Sequence, residues 1–191
     1  DLFGVACGEK NILFTNNDSV YETAISLIQK GIKVQAIIDN REEIDSKLIK
    51  ETEKNNIKIY KGYTIVDTFG YKRINSVSIM KLSKDGQKVI GSKENISCDS
   101  LGISGGWTPA VHLFTQSGGK LKFRDDDQVF IPNTYPSNQI SIGSCNGDFT
   151  LDEILINAPK LLKEFLNIKK TEYENIEIYS AFNKSKRNIW L

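Results

Sequence analysis

A strand, a helix and a second strand follow one another within residues 11–39, and this order constrains the fold more than any other feature. Asn11-Ile12-Leu13-Phe14-Thr15 is a short apolar run, as a buried strand requires. Asn16-Asn17-Asp18 follows as a turn. Ser19 and Glu22 stand at capping-box spacing, which predicts a helix start covered by a hydroxyl and a carboxylate. Val20, Ala24, Leu27 and Ile28 recur at helical spacing, so one face is buried, and Gly31 predicts the C-terminal cap. Val34-Gln35-Ala36-Ile37-Ile38 is the next strand, with Asp39 at its tip. Two strands joined in this way run parallel with a right-handed crossover.

That unit has the outline of a mononucleotide-binding fold, in which a glycine-rich first turn admits a pyrophosphate and a strand-end acid takes a ribose. Here the first turn, residues 15–19, contains no glycine. Its side chains block the backbone approach, and Asp18 sets a negative charge where a phosphate would sit. Asp39 reads as a strand-end acid in water rather than a ribose ligand. The architecture is retained and the pocket lost, so this turn is expected not to bind NAD(P)H.

Beyond it, residues 41–55 are polar with a thin apolar stripe of Ile44, Leu48 and Ile49, which predicts a second helix. From Ile57 the period changes to two through residue 70, again at 76–82, and again at 88–90. Asp85-Gly86 supplies a hairpin turn, and the whole reads as a small antiparallel flap. Residues 96–104 return as a core strand.

The stretch from Cys98 to Leu151 carries the candidate site. A strand over residues 101–104 runs into Gly105-Gly106, and Trp107-Thr108-Pro109 turns the chain away. A second strand, residues 139–142, ends in Gly143-Ser144-Cys145-Asn146-Gly147. Thr150 and Glu153 form another capping box, opening a helix through Leu155, Ala158, Leu161, Leu162 and Phe165 with Pro159 as a kink point. Strands that stop at glycine beside a helix start suit a nucleotide cleft, because glycine admits the ligand and the helix offers free N–H groups. The candidate cofactor-binding residues are therefore Gly143, Ser144, Asn146 and Gly147 in the turn and Thr150 and Leu151 at the helix start. Gly105 and Gly106 join them from the first strand end. Ordinary loop glycines would read the same way.

Other features exclude chemistry. A net charge of +1 gives no electrostatic case for nucleic acid or an anionic membrane. Hydrophobic content of 39% suits a globular chain, and no apolar run reaches the ~20 residues a membrane helix needs. Cys7, Cys98 and Cys145 are widely spaced with no C-x-x-C pair, so they read as small packing residues in a reducing cytosol with no disulfide, and Cys7→Ser is expected to leave activity intact. The single histidine, His112, reads as a loop or packing residue, and no metal site is expected. Asp125-Asp126-Asp127 reads as a solvated loop within an exposed excursion that begins at Gly118-Gly119.

The string C-D-S-L-G-I-S-G-G-W-T-P-A-V-H-L-F-T-Q-S-G-G-K-L from Cys98, with F-T-N-N-D-S-V-Y at Phe14 and G-S-C-N-G at Gly143, resembles the alpha subunit of heterotetrameric sarcosine oxidase. The resemblance implies an α/β, two-dinucleotide-binding, disulfide-reductase-like fold, present in part, with the small antiparallel flap. It divides the chain into a degenerate inserted domain over residues 9–97, the closing segment of a split NAD-binding domain over 98–168, and a connector over 169–191 towards a folate-binding region. In that family the alpha subunit holds NAD, while FAD and covalent FMN belong with the other subunits. The beta, gamma and delta subunits are the implied partners, the location is cytoplasmic, and no nucleic acid or membrane is involved. The complex oxidises sarcosine with oxygen and tetrahydrofolate to glycine, methylenetetrahydrofolate and hydrogen peroxide. No residue of this chain is expected to carry the amine oxidation, and the 191 residues alone are expected not to hold NAD.

Gly143-Ser144 also departs from the Gly-Asp pair with which flavin reductases hold the ribityl chain, which favours NAD over FAD here. Opine oxidase and hydrogen cyanide synthase subunits share the architecture. An NAD(P)H-dependent flavin reductase and a non-catalytic scaffold are the other readings.

Overall fold

A computed structural model describes residues 4–44, 47–136 and 138–168. They fall into two compact units, one ending at Gly106 and the next beginning at Trp107.

The first unit contains, in chain order, β1 (Asn11–Thr15), α1 (Ser19–Gln29), β2 (Val34–Asp39), α2 (Lys47–Lys54), β3 (Lys58–Lys61), β4 (Tyr63–Gly70), β5 (Ile74–Leu82), β6 (Val89–Ser97) and β7 (Ser100–Ser104). Four strands form a parallel sheet in the order β3-β2-β1-β7. The central strands β1 and β2 read as near-continuous apolar runs because both of their faces are covered. On one face Leu13 and Ile37 pack with Val20, Tyr21 and Ala24 of α1 and with Ile49 of α2. On the other, Ile12, Phe14, Ala36, Ile38 and Tyr60 meet Val77 and Ile79 of β5. Each of the large apolar side chains so buried contributes about 1.5–3 kcal/mol relative to exposure. The antiparallel meander β4-β5-β6 supplies that second cover, as the period-two stretch predicts.

Four local expectations change. The Ser19 capping box does not form: Asp18 stands in the N-cap position with helical backbone angles, and its side chain makes no capping bond. Asn17 does the work instead, its Oδ1 accepting from the Ser19 amide at 3.1 Å and from the Ser19 hydroxyl at 2.5 Å. Residues 58–61 belong to the parallel sheet, paired to β2, rather than to the antiparallel flap. Gly62, at φ 71°, then turns the chain into β4. Residues 96–104 are two strands, not one. The break lies where the Asp99 carboxylate accepts from the amides of Glu9 and Lys10 at 3.0 and 2.7 Å. Residues 100–104, expected in the closing segment, are hydrogen-bonded to β1 and so stand in the first unit's sheet. At the far end of α1 the expected glycine cap is present. Gly31, at φ 78°, donates to the Ile28 carbonyl while Ile32 donates to that of Leu27.

The second unit contains α3 (His112–Gln116), β8 (Lys120–Arg124), β9 (Val129–Thr134), a 3₁₀ turn over Gly143–Asn146 and α4 (Leu151–Phe165). The expected exposed excursion is an antiparallel hairpin, β8 with β9. Asp127 is not a solvated loop acid. Its carboxylate folds back onto the Arg124 guanidinium, with Arg124 Nε donating at 2.7 Å. Residues 139–142 pair with no strand among the described residues, although the backbone at Ile142 is extended. α4 continues through Pro159, and the expected connector lies outside the described residues. None of the described helices is long and apolar enough to cross a membrane.

Candidate functional site

In a doubly wound sheet, ligands sit beyond the carboxyl ends of the strands, where the connections diverge to either side. In the first unit that place is the end of β1 and β2, with the turn into α1 and the residues after Asp39. It is filled by the chain's own side chains. Thr15, Asn16, Asn17 and Asp18 are all buried. The Asn17 amide donates to Thr15 Oγ1 at 3.0 Å, and Asn17 Nδ2 donates to the Ser104 carbonyl at 3.0 Å.

Asp39 is the main correction to the sequence reading. It is 0% exposed, not in water. Its Oδ1 accepts from the Arg41 amide at 2.9 Å and from Arg41 Nε at 3.1 Å. Its Oδ2 accepts from Arg41 Nη2 at 2.8 Å and from the Tyr21 hydroxyl at 2.9 Å. The remaining guanidinium nitrogen, Nη1, lies 2.7 Å from Asp18 Oδ1. Arg41 thus joins the acid at the start of α1 to the acid at the end of β2. The spacing Asp39-Asn40-Arg41 was the available sequence signal, and only burial gives it meaning.

These charges fix protonation states. Burial first, and then the adjacent Asp39 carboxylate, push the Tyr21 hydroxyl well above its ordinary value of 10.0. Burial disfavours the charged Arg41, but its bonds to Asp39 and Asp18 outweigh that and raise it. Because the folded-state value of Tyr21 is raised, its contribution is complete below about pH 10 and is lost as pH climbs from there towards that value. Urea denaturation at about pH 8 and about pH 11 is expected to show a smaller stability loss in Tyr21→Phe than in the native chain. Equal losses would exclude Tyr21 as a source of alkaline instability.

In the second unit the structure places Gly143, Ser144, Asn146, Gly147, Thr150 and Leu151 on one continuous segment, the 3₁₀ turn and the start of α4. Gly105 and Gly106 lie at the end of the first unit, just past β7. Gly143 adopts φ 74°, and a Cβ there would meet only the Ile154 side chain, at 3.8 Å. Ser144 is exposed, and Asn146 Oδ1 accepts from the Tyr135 hydroxyl at 3.1 Å. Gly147, at φ 87°, is set by packing: a Cβ would stand 2.7 Å from Arg124 Nη2 and 2.9 Å from Ile131 Cγ2. Arg124 Nη2 also donates to the Gly147 carbonyl at 2.8 Å.

The expected capping box at Thr150 is present. Glu153 Oε2 accepts from the amides of Phe149 and Thr150 at 3.1 and 3.2 Å, and Thr150 Oγ1 accepts from the Glu153 amide at 3.4 Å. The Phe149, Thr150 and Glu153 amides at this helix start are therefore engaged, and Asp152 adds negative charge to the same turn. His112 is exposed, and among the described residues no group of three His, Cys, Asp or Glu is placed to hold a metal. Cys7 is exposed, Cys98 buried and Cys145 half-buried, all as free thiols.

No family model matches the chain. Curated relatives do. The sarcosine oxidase subunit alpha of Corynebacterium sp. (strain U-96) is 30% identical over 145 residues, 76% of this chain and 15% of that protein. That of Corynebacterium sp. (strain P-1) is 30% identical over 151 residues, again 15% of its length. The Rhizobium meliloti (strain 1021) subunit is 28% identical over 129 residues. Among solved structures, T. acidophilum thioredoxin reductase superposes with a TM-score of 0.53 at 16% identity, over 83% of this chain and 52% of its own. The bacillithiol disulfide reductase of Bacillus cereus gives 0.52 at 15% identity, over 76% and 47%. At those identities the likeness speaks for the fold alone, and that fold is the partial disulfide-reductase-like α/β architecture the resemblance implies. This chain is homologous to one segment of the sarcosine oxidase alpha subunit, built on the fold of thioredoxin reductase.

Proposed function

We propose that this chain forms part of the NAD-binding region of an alpha subunit in a sarcosine-oxidising complex. The complex would contain beta, gamma and delta subunits and demethylate sarcosine with oxygen and tetrahydrofolate. FAD and FMN would reside with the other subunits, and this chain would supply no group to the amine oxidation. The observation that carries the reading is the sequence match to three sarcosine oxidase alpha subunits across 68–78% of the chain.

The second unit's turn fits the neutral part of a nucleotide better than its pyrophosphate. Ser144 offers an exposed hydroxyl and Asn146 a side-chain amide, beside Gly143, which has no side chain and meets only Ile154 at ordinary contact distance. At the α4 start Glu153 already takes the Phe149 and Thr150 amides, and a phosphate there would face the Asp152 and Glu153 carboxylates. In this reading Gly143, Ser144 and Asn146 approach ribose or carboxamide groups. Gly147, Thr150 and Leu151 shape the segment, and a glycine-rich turn elsewhere in the protein takes the phosphates.

The test is a released-cofactor assay on the purified intact complex. NAD is expected in the acid-soluble fraction alongside flavin. Flavin without any nicotinamide nucleotide would overturn the NAD assignment and favour a scaffold role, and sarcosine-independent NAD(P)H oxidation would favour a flavin reductase.

A further inference from the structure

A fold of this kind implies a dinucleotide in the first unit, at the β1–α1 turn and the end of β2. The residues present do not fit one. We infer that Arg41 has taken the dinucleotide's place, so that the cleft is closed by an internal ligand and the unit is held together without a cofactor. This inference is independent of the NAD reading, which concerns the second unit.

The phosphate and ribose contacts that a dinucleotide would make here have internal counterparts. The helix start, which would receive a phosphate, already carries the Asp18 carboxylate, 1% exposed. The Asn17 and Ser19 amides, which could donate to a phosphate, are bound to Thr15 Oγ1 and Asn17 Oδ1. The strand-end acid, which would receive ribose hydroxyls, accepts from the Tyr21 hydroxyl and from three nitrogens of Arg41. Those four donors use the lone-pair sites that a carboxylate has. A ribose at Asp39 would have to displace the Arg41 guanidinium, and that would leave Asp18 buried and unpaired. Arg suits the role because its planar fork serves two carboxylates from one side chain.

The arrangement also explains why the turn can dispense with glycine. Backbone approach matters when an outside phosphate must come close, but here the anion is a side chain of the turn itself. The same guanidinium ties the β1–α1 turn to the segment after β2, a joint that a bound dinucleotide would otherwise make.

Two measurements on the protein test this. Crystals are soaked with ADP-ribose at millimolar concentration and the β1–α1 turn is inspected. Unchanged side-chain density at Asp18, Arg41 and Asp39 is expected, and ADP-ribose against Asn17 and Asp18 with Arg41 displaced would overturn the inference. In parallel, Arg41→Met is compared with the triple variant Asp18→Asn, Arg41→Met, Asp39→Asn. Breaking a buried charge network in a chain of this size is expected to lower Tm by about 6–20 °C. The triple variant, which buries no charge, is expected to recover at least half of that loss. A melting temperature for Arg41→Met within about 2 °C of the native value, or a triple variant no more stable than the single one, would sink the internal-ligand account. Should Arg41→Met fail to fold, folding of the triple variant still supports it and failure of both overturns it.

Discussion

Asp39→Ala is expected to destabilise the first unit by about 3–5 kcal/mol, the cost of removing one partner from a buried ion pair. The loss is large because three groups are stranded together. Among the described residues Arg41 keeps only Asp18 as a counter-charge, the Tyr21 hydroxyl loses its acceptor, and the Arg41 amide loses its own. All sit in a region that excludes water, with Tyr21 and Asp39 at 0% exposure. Asp39→Asn is expected to cost less, since its amide oxygen still accepts from the Arg41 side. Urea titration followed by far-UV circular dichroism checks both. A loss below about 1 kcal/mol for Asp39→Ala, the range of an exposed pair, would show that the acid stands in water as the sequence alone suggests.

Gly147→Ala is expected to cost about 2–3 kcal/mol, while Gly143→Ala costs only about 1 kcal/mol. Both glycines adopt positive φ, where a side chain is disfavoured by roughly 1–2 kcal/mol. The difference lies in the surroundings. A methyl at Gly147 would run into the Arg124 guanidinium and Ile131, so the hairpin must shift and Arg124 must give up either Asp127 or the Gly147 carbonyl. A methyl at Gly143 meets only ordinary contact with Ile154. Thermal melting separates the two variants, and NAD retention by the complex is expected to fall for Gly143→Ala with little change in Tm. Equal melting temperatures would remove the packing argument for Gly147.

Much of this was legible in the residues because the signals are local. The helix through residues 151–165 announces itself in Thr150 and Glu153, two positions that meet within one turn. Gly31 ends α1 for the same reason, since a left-handed residue can be read one position at a time. Ser19 and Glu22 show the limit of such reading. The same motif is present, yet Asn17 caps the helix, because its side chain is held in place by Ser104 from a strand 87 residues away. The candidate residues of the second unit lie on one segment, as their spacing requires, but that Gly147 rather than Gly143 is crowded depends on Arg124 and Ile131 from the hairpin.

By itself the sequence determined the parallel β-α-β unit, the meander, the capped final helix and the kinship carried by the string from Cys98. These follow from periodicity and short-range chemistry, which the chain expresses wherever it folds. Only the tertiary structure decided that β3 and β7 flank the parallel sheet, since strand pairing is a choice between distant partners of similar pattern. It alone decided the meaning of Asp39. A carboxylate at a strand end can lie in water, hold a ribose or pair with a guanidinium. The outcome rests on whether α1, with Tyr21, closes over it and shuts the solvent out, because only in a low-dielectric surrounding does an arginine two residues away become an obligatory partner.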